Sequence, residues 1–148
     1  SYKNVDFSMF WEGKAGWTAY TPTKSQTDFY AVAAEGTNRG KRILNAWTPE
    51  NNKSKIPAIA YSNDNDEGRT STYLYENHSF AKLRNIQIGY SFNFPALKSA
   101  GIDKLRIYVT GQNLIQITSK DFSGVDPEQT SYSYPLPLTV IAGLQLGF

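Results

Sequence analysis

The one histidine of the chain, His78 in the stretch YENHSF, is the residue best suited to acid–base chemistry. An imidazole that titrates near neutral pH can serve as the base of a nucleophilic triad. Such a triad also needs an activated nucleophile, and the sequence holds neither a cysteine nor the G-x-S-x-G turn that presents a serine. We therefore expect His78 to be a loop or strand-edge histidine, and we predict that the chain is not an enzyme.

A second group of chemically capable residues is the run NDNDEG at 63–68, where carboxylates and amides lie close together. Oxygen ligands of this kind suit Ca²⁺, but the D-x-D-x-D-G-x5-E spacing of a calcium loop is missing. A solvated acidic turn is the favoured interpretation, and calcium binding is left open. The sequence has no phosphate loop, dinucleotide fingerprint or zinc-ligand spacing, so we predict no cofactor, no metal and no catalytic residues.

Charge and hydropathy restrict the kinds of partner. Fifteen Lys plus Arg against thirteen Asp plus Glu give a net charge of +2 with no basic run, so we expect no nucleic acid. No apolar run approaches the ~18 residues of a transmembrane helix. A membrane is still compatible with the sequence, because each strand of a barrel needs only ~9–11 alternating residues.

Four segments alternate apolar and polar residues with the period of two that marks a strand with unlike faces. They cover about 5–20, 80–94, 104–118 and 137–148. Their polar faces carry amides, hydroxyls and glycines more than the lysines and glutamates of a soluble sheet, which would suit the inside of a water-filled barrel. Alternation alone leaves two alternatives, a barrel or a half-buried antiparallel sheet such as a soluble binding module.

The connections between these segments differ greatly in length. Residues 95–103 form a short link, whereas 119–136 form a longer polar loop and 21–79 a very long one. The long loop contains two helical candidates, QTDFYAVAAEG and NRGKRILNAW, the second ending before Pro49. Short links on one side of a sheet and long loops on the other are typical of an outer-membrane barrel.

Aromatic residues make up 14% of the chain, and many lie in polar stretches. Exposed rings in the long loop could stack on sugars or contact a partner protein. The best candidates for such cargo or partner contacts are Trp47, Tyr61, Tyr73 and Tyr75. The alternative for each ring is that it packs the loop against itself.

Several stretches together resemble the SusC/RagA type of TonB-dependent outer-membrane transporter. LYENHSFAKLRNIQIGYSFN is similar to the region of the family's third-last strand, and KLRIYVTGQNLIQITSKDFSGVDPE to its penultimate strand and following loop. YPLPLTVIAGLQLGF is similar to the terminal strand with its final phenylalanine. NAWTPENN and YKNVDFSMFWEGKAG resemble pieces further upstream in the same order. The resemblance covers nearly the whole chain.

The resemblance implies an all-β fold, in which residues 1–148 are the last four antiparallel strands of a 22-stranded transmembrane β-barrel. It implies a multi-pass protein of the Gram-negative outer membrane that contacts lipid and imports oligosaccharides or, in some members, peptides. The partners it implies are the rest of the transporter chain with its barrel and plug, a SusD-like surface lipoprotein, and the TonB complex acting through an N-terminal part that this sequence lacks.

The same resemblance implies a topology and an assembly signal. Loops 21–79 and 119–136 are expected outside the cell, and the turn 95–103 in the periplasm, since long loops face outward in such barrels. A terminal aromatic residue preceded by apolar residues at alternate positions looks like the signal that barrel-assembly machinery reads. The residues that fit this pattern are Val140, Ala142, Leu144, Leu146 and Phe148.

Overall fold

The structure is a computed structural model that describes residues 1–29, 38–60, 62, 66, 68–99, 101–130 and 133–148. The chain divides into two compact units. The first, called here the sheet unit, comprises residues 1–15, 80–118 and 136–148. The second, the loop unit, comprises 16–79 and 119–135. Within the described ranges, no helix is long and apolar enough to span a membrane.

The sheet unit is a four-stranded antiparallel sheet, and its strands lie side by side in the order in which they follow one another along the chain. Its strands are β1 (Val5–Lys14), β4 (Phe80–Phe92), β5 (Lys104–Thr118) and β6 (Thr139–Gly147). A five-residue helix, α2 (Pro95–Ser99), lies in the link between β4 and β5. The all-β class and the antiparallel arrangement of the four predicted strands are therefore confirmed, while the 22-stranded barrel stays a prediction.

The register of the sheet aligns the apolar positions of all four strands in rows. One row consists of Val5, Tyr90, Ile107 and Leu144, and the next of Phe7, Ile88, Val109 and Ala142. A third row continues with Met9, Ile86, Gly111 and Val140. Because side chains alternate between faces, these rows form one continuous apolar face and the residues between them form a polar one.

Proline and a bulge shape the ends of these strands. β4 ends at Phe92, two residues short of the prediction, and Pro95 then begins α2 at the first helical position, which suits a proline. β6 begins at Thr139, not 137, because Pro137 has no N–H to donate to β5. The register between β4 and β5 shifts between Leu83 and Asn85, and the backbone of Asn113 opposite this shift has a φ of 54°.

The single strand predicted over 5–20 is wrong, because the chain breaks after Lys14. Gly16 has a φ of 70°, a left-handed conformation that favours glycine, and it ends the extended run. A separate short strand, β2 (Thr18–Tyr20), follows and pairs with β3 (Tyr75–Asn77) in a two-stranded sheet inside the loop unit. Residues 18–20 thus belong to a different unit from β1.

The helices of the loop unit differ from the predicted ones. α1 (Pro22–Asp28) begins four residues before QTDFYAVAAEG, because a proline suits the first helical position, and it ends where the extended Phe29 turns inward. Residues 30–36 of that prediction lie outside the described residues. NRGKRILNAW contains only a 3₁₀ helix, Lys41–Asn45, and a second 3₁₀ helix spans Thr72–Leu74.

Candidate functional site

His78 lies directly between β3 and β4 in the chain and is completely buried in the loop unit. Its Nδ1 lies 2.8 Å from the carbonyl oxygen of Pro127, and its Nε2 lies 2.9 Å from the hydroxyl of Thr21. A carbonyl only accepts, so Nδ1 carries a proton, and in the neutral ring Nε2 then accepts from the Thr21 hydroxyl. The ring joins two distant chain segments, a role that its sequence context did not reveal.

The hydroxyl of Thr21 bonds His78 and does not cap its own helix. Thr21 is the N-cap residue of α1, where a threonine hydroxyl usually accepts a backbone N–H of the first turn. Here no such side-chain cap forms, and the hydroxyl points to His78 instead. The rings of Trp17 and Phe122 pack against the imidazole at centroid distances of 5.4 and 4.8 Å. The buried histidine therefore organises its surroundings through both polar and aromatic contacts.

A buried charge cluster lies in the same unit. The Lys24 ammonium is 3.1 Å from a Glu76 carboxylate oxygen, and the two side chains are only 8% and 5% exposed. Lys24 also donates to the Tyr73 carbonyl oxygen at 2.5 Å and lies 3.8 Å from the centre of the Tyr73 ring. The second Glu76 oxygen accepts from the backbone N–H and the hydroxyl of Ser123, at 3.0 and 2.8 Å. This one carboxylate thus ties the long loop to the 119–135 segment.

Titration in the cluster follows from these contacts. Burial alone would raise the pKa of Glu76, but the Ser123 hydrogen bonds and the Lys24 charge outweigh it and hold that pKa below its ordinary value. Burial raises the pKa of Tyr73, and its hydroxyl, which donates to Asp28 at 2.6 Å, is held further in the neutral form by that carboxylate. Glu76 is therefore the ionised centre of this cluster at neutral pH.

The structure places the four aromatic candidates differently. Trp47 and Tyr75 are 42% and 48% exposed, whereas Tyr73 is half-buried with its hydroxyl and ring both engaged. Tyr61 lies outside the described residues. Trp47 and Tyr75 therefore remain available for external contacts, and Tyr73 holds the loop unit together.

Most of the acidic run NDNDEG lies outside the described part of the chain. Positions 63–65 and 67 lie outside it, and Asp66, largely exposed, faces Arg69 at 3.9 Å. Among the described residues, no group of three or more His, Asp or Glu side chains could hold a metal ion. The expectation at 63–68 stays that of a solvated acidic turn, with calcium binding open.

On the polar face of the sheet unit, an ion pair spans a strand. Arg106 of β5 donates two hydrogen bonds to Asp6 of β1, one of them 2.9 Å from Nε to Oδ1, across the intervening β4. A Cβ on Gly89 of β4 would lie 2.5 Å from the guanidinium and 2.6 Å from the carboxylate. The missing side chain of Gly89 leaves the space for this pair, which sequence inspection did not identify.

The predicted assembly residues lie along β6. Val140, Ala142, Leu144 and Leu146 stand opposite Gly111, Val109, Ile107 and Leu105 of β5, respectively. Phe148 follows the last strand residue and is 86% exposed. The structure thus places the four strand residues in line with the apolar rows. It does not test their role as an assembly signal.

Comparison with known proteins gives consistent similarities. No protein-family profile matches the chain. It is 31% identical over 127 residues to TonB-dependent receptor P3 of Formosa agariphila, covering 86% of this chain and 12% of that protein. It is also 31% identical over 153 residues to TonB-dependent receptor SusC of Bacteroides thetaiotaomicron, covering 99% of this chain and 14% of that one.

Solved structures show the same relationship. A structure of the RagAB peptide transporter superposes with a TM-score of 0.80 at 26% identity, over 100% of this chain and 16% of the matched one. The RagAB peptide importer in an open state gives a TM-score of 0.77 at 26% identity. The chain thus spans about 11–16% of the length of the proteins it matches.

Proposed function

Because this chain belongs to the SusC/RagA family of TonB-dependent receptors, we propose that it forms the last four strands of an outer-membrane barrel that imports nutrients. In this proposal, β1, β4, β5 and β6 line part of the barrel wall. The remaining strands and a plug come from the rest of the transporter chain. The soluble binding module is the less favourable alternative, since four strands alone leave two unpaired edges.

The apolar face of the sheet unit is the observation that carries this proposal. Phe7, Ile88 and Leu144 are 54%, 54% and 59% exposed, although they lie in adjacent rows of one face. A contiguous apolar face of this kind is unusual on a soluble monomer. Contact with lipid would remove it from water, while the opposite face, with Asp6, Arg106 and Gln87, would meet an aqueous interior.

The proposal includes a direction across the membrane. The segments 21–79 and 119–136 would face the outside of the cell and the link 95–103 the periplasm. The chain contains no cysteine, so single cysteines at Glu128 and Ser99 can report the two sides. In intact cells, an impermeant maleimide should label position 128 and not position 99. Labelling only at position 99 would invert the topology.

We propose an oligosaccharide as the cargo, taken up together with a SusD-like surface lipoprotein and driven by the TonB complex. Exposed rings such as Trp47 and Tyr75 support this choice, because flat aromatic faces can stack on sugar rings. The similarity to the RagAB peptide transporter favours peptides as a second candidate. Both the cargo and these partners belong to the whole transporter, of which this chain spans only a part.

Uptake by a deletion strain distinguishes the two cargo classes. Cells that lack the full-length gene should lose uptake of fluorescent oligosaccharides and keep uptake of peptides. The intact gene should restore the loss, and a version with Trp47→Ala and Tyr75→Ala should restore it less well at equal barrel abundance. Selective loss of peptide uptake would replace the first candidate with the second, and no loss of either would contradict import.

We also propose that Val140, Ala142, Leu144, Leu146 and Phe148 act as the assembly signal of the barrel. Removing Phe148 from the full-length protein should sharply reduce assembled protein in cells, while refolding of the purified protein into detergent suffers far less. Gln145→Ala, on the polar side of the same strand, is the control and should assemble normally. An equal loss in both assays would mean that Phe148 acts through stability instead.

A further inference from the structure

A cavity of about 360 Å³ lies within the loop unit. One wall comes from the start of α1 and the other from the turns of the 119–135 segment. Its lining includes Thr21, Thr23, Val125, Asp126, Gln129 and Tyr134. The volume falls near the lower end of the range of about 300–1,000 Å³ that small-molecule sites occupy.

His78 holds the two walls of this cavity together. Its Nε2 is hydrogen-bonded to Thr21 of the first wall. Its Nδ1 is hydrogen-bonded to the carbonyl oxygen of Pro127, which lies in the chain between the second-wall residues Asp126 and Gln129. The second wall is also held by the two Ser123 bonds to Glu76 and by a turn in which Asp126 accepts the backbone N–H of Glu128 at 3.0 Å. Both walls are therefore fixed by buried and part-buried hydrogen bonds before any ligand arrives, which lowers the entropy cost of binding.

Apart from the Asp126 carboxylate, which accepts from the Glu128 N–H, the lining presents neutral polar groups that still have hydrogen-bonding capacity. Among the described residues, none bonds the Thr23 hydroxyl. Gln129 uses only its side-chain oxygen, which accepts from Ser133 at 2.8 Å, so its two amide protons are available. The Tyr134 ring at the rim is 95% exposed. Hydroxyl, amide and aromatic groups of this kind match the hydroxyls and apolar faces of a sugar ring.

The same lining disfavours other ligand classes. No lysine or arginine is among the described lining residues, so an anionic ligand or a peptide carboxylate would find no cation. The described walls consist of a helix start and turns, with no strand edge on which an extended peptide could add a strand. We propose that this cavity is a binding site for a sugar unit of a neutral oligosaccharide, an inference that rests on the proposed import function.

Calorimetric titration of the full-length transporter in detergent tests the site, with neutral glucan, xylan and mannan tetrasaccharides as the probes and uncharged tetrapeptides as the alternative. Val125→Trp fills the cavity and should weaken saccharide binding about tenfold or more. Thr23→Val keeps the shape and removes one hydroxyl, so it should weaken binding about two- to tenfold. Leu44→Trp introduces the same indole ring at an 83% exposed position outside the lining and should bind like the wild type.

The outcomes separate this inference from the import function. If Val125→Trp and Thr23→Val bind saccharides as tightly as the control Leu44→Trp, the cavity is not the binding site. This conclusion holds even if the wild-type strain imports the same sugar. Binding of tetrapeptides alone, blocked by Val125→Trp, would overturn the saccharide assignment. Wild-type cells that import neither sugar nor peptide would instead contradict the import function, whatever the calorimeter shows.

Discussion

The sheet unit and the loop unit place polar and apolar side chains in opposite ways. The sheet exposes rows of large apolar residues, among them Phe7, Ile88 and Leu144. The loop unit buries charged and polar residues, among them Lys24, Glu76 and His78, around a small apolar core. The contrast shows that the sheet depends on what surrounds it, whereas the loop unit depends on bonds it makes within itself.

A substitution should therefore destabilise the two units for different physical reasons. In the loop unit, a removed partner leaves a buried polar group without a hydrogen bond or a counter-charge, and that group cannot reach water. In the sheet unit, the backbone ladder tolerates most side chains, and the decisive factor is the solvent that each face meets. Four substitutions or conditions should separate these two dependences.

The largest effect is expected for Lys24→Met. Glu76 would keep its Ser123 bonds and the more distant Arg42 at 3.8 Å but lose the ammonium at 3.1 Å, and removing one partner of a buried ion pair costs about 3–5 kcal/mol. Hydrogen exchange of the full-length protein should show protection lost throughout 72–79 and 119–129 but kept in β4 and β5. The exposed Lys53→Met is the control. Equal loss of protection in the sheet would contradict the separation of the two units.

A charge on the apolar face should produce the next largest effect. Ile88→Arg places a guanidinium among Phe7 and Val109, at a cost of about 2–4 kcal/mol if that position lies near the membrane midplane. The neighbouring Gln87→Arg points to the polar face and should cost far less. Urea unfolding in lipid vesicles measures both. Similar costs at the two positions would mean that the faces do not meet different solvents.

Removal of the buried imidazole should have an intermediate effect. In His78→Ala, Thr21 can turn its hydroxyl elsewhere, but the Pro127 carbonyl is left unpaired, at a cost of about 1–3 kcal/mol. Exchange protection should fall at 124–129 more than at 22–28. His78→Gln, which retains a donor, should recover part of it. Unchanged hydrogen-exchange protection in His78→Ala would show that the hydrogen bonds of the imidazole do not stabilise these segments.

Acidification should have the smallest effect, because protonated Glu76 keeps part of its hydrogen bonding. Its pKa is lowered in the folded state, so its stabilisation is complete above the ordinary glutamate pKa of 4.5 and decreases as pH falls below that value. Lys24 and Arg42 are the cations that face it. Hydrogen-exchange protection of the loop unit should decline as the pH falls below 4.5 in the wild type, and it should decline less steeply in Glu76→Gln. If protection depends on pH in the same way in both proteins, protonation of Glu76 is not the cause of the decline.

The sheet could be predicted from the sequence because its signal is local. Period-two alternation gave four strands and the apolar face, since each strand carries its own pattern over nine or more residues. The break at Gly16 escaped prediction because alternating residues continue beyond it and only the backbone φ reveals the turn. The short strands β2 and β3 are three residues each, too brief for a pattern to be visible.

The hydrogen bonds of the loop unit and the ion pair on the polar face could not be predicted, because they join residues that are far apart in the sequence. Thr21 and His78 are 57 residues apart, Glu76 and Ser123 are 47 apart, and Asp6 and Arg106 are 100 apart. A single sequence gives no indication that such residues meet. The burial of His78 was missed for the same reason, since a histidine beside a strand in a polar stretch is usually exposed.

Gly89 and Gly143 of the polar face have a consequence for how this sheet can vary. Neither backbone has the positive φ that would itself favour glycine. Each residue is small because a neighbour lies across it: the Asp6–Arg106 pair over Gly89, and the Tyr108 ring over Gly143. A larger side chain at position 143 is thus compatible only with a smaller one at 108, so these positions should change as pairs during divergence. Long side chains that lie over glycines also leave the space above the polar face of the sheet open.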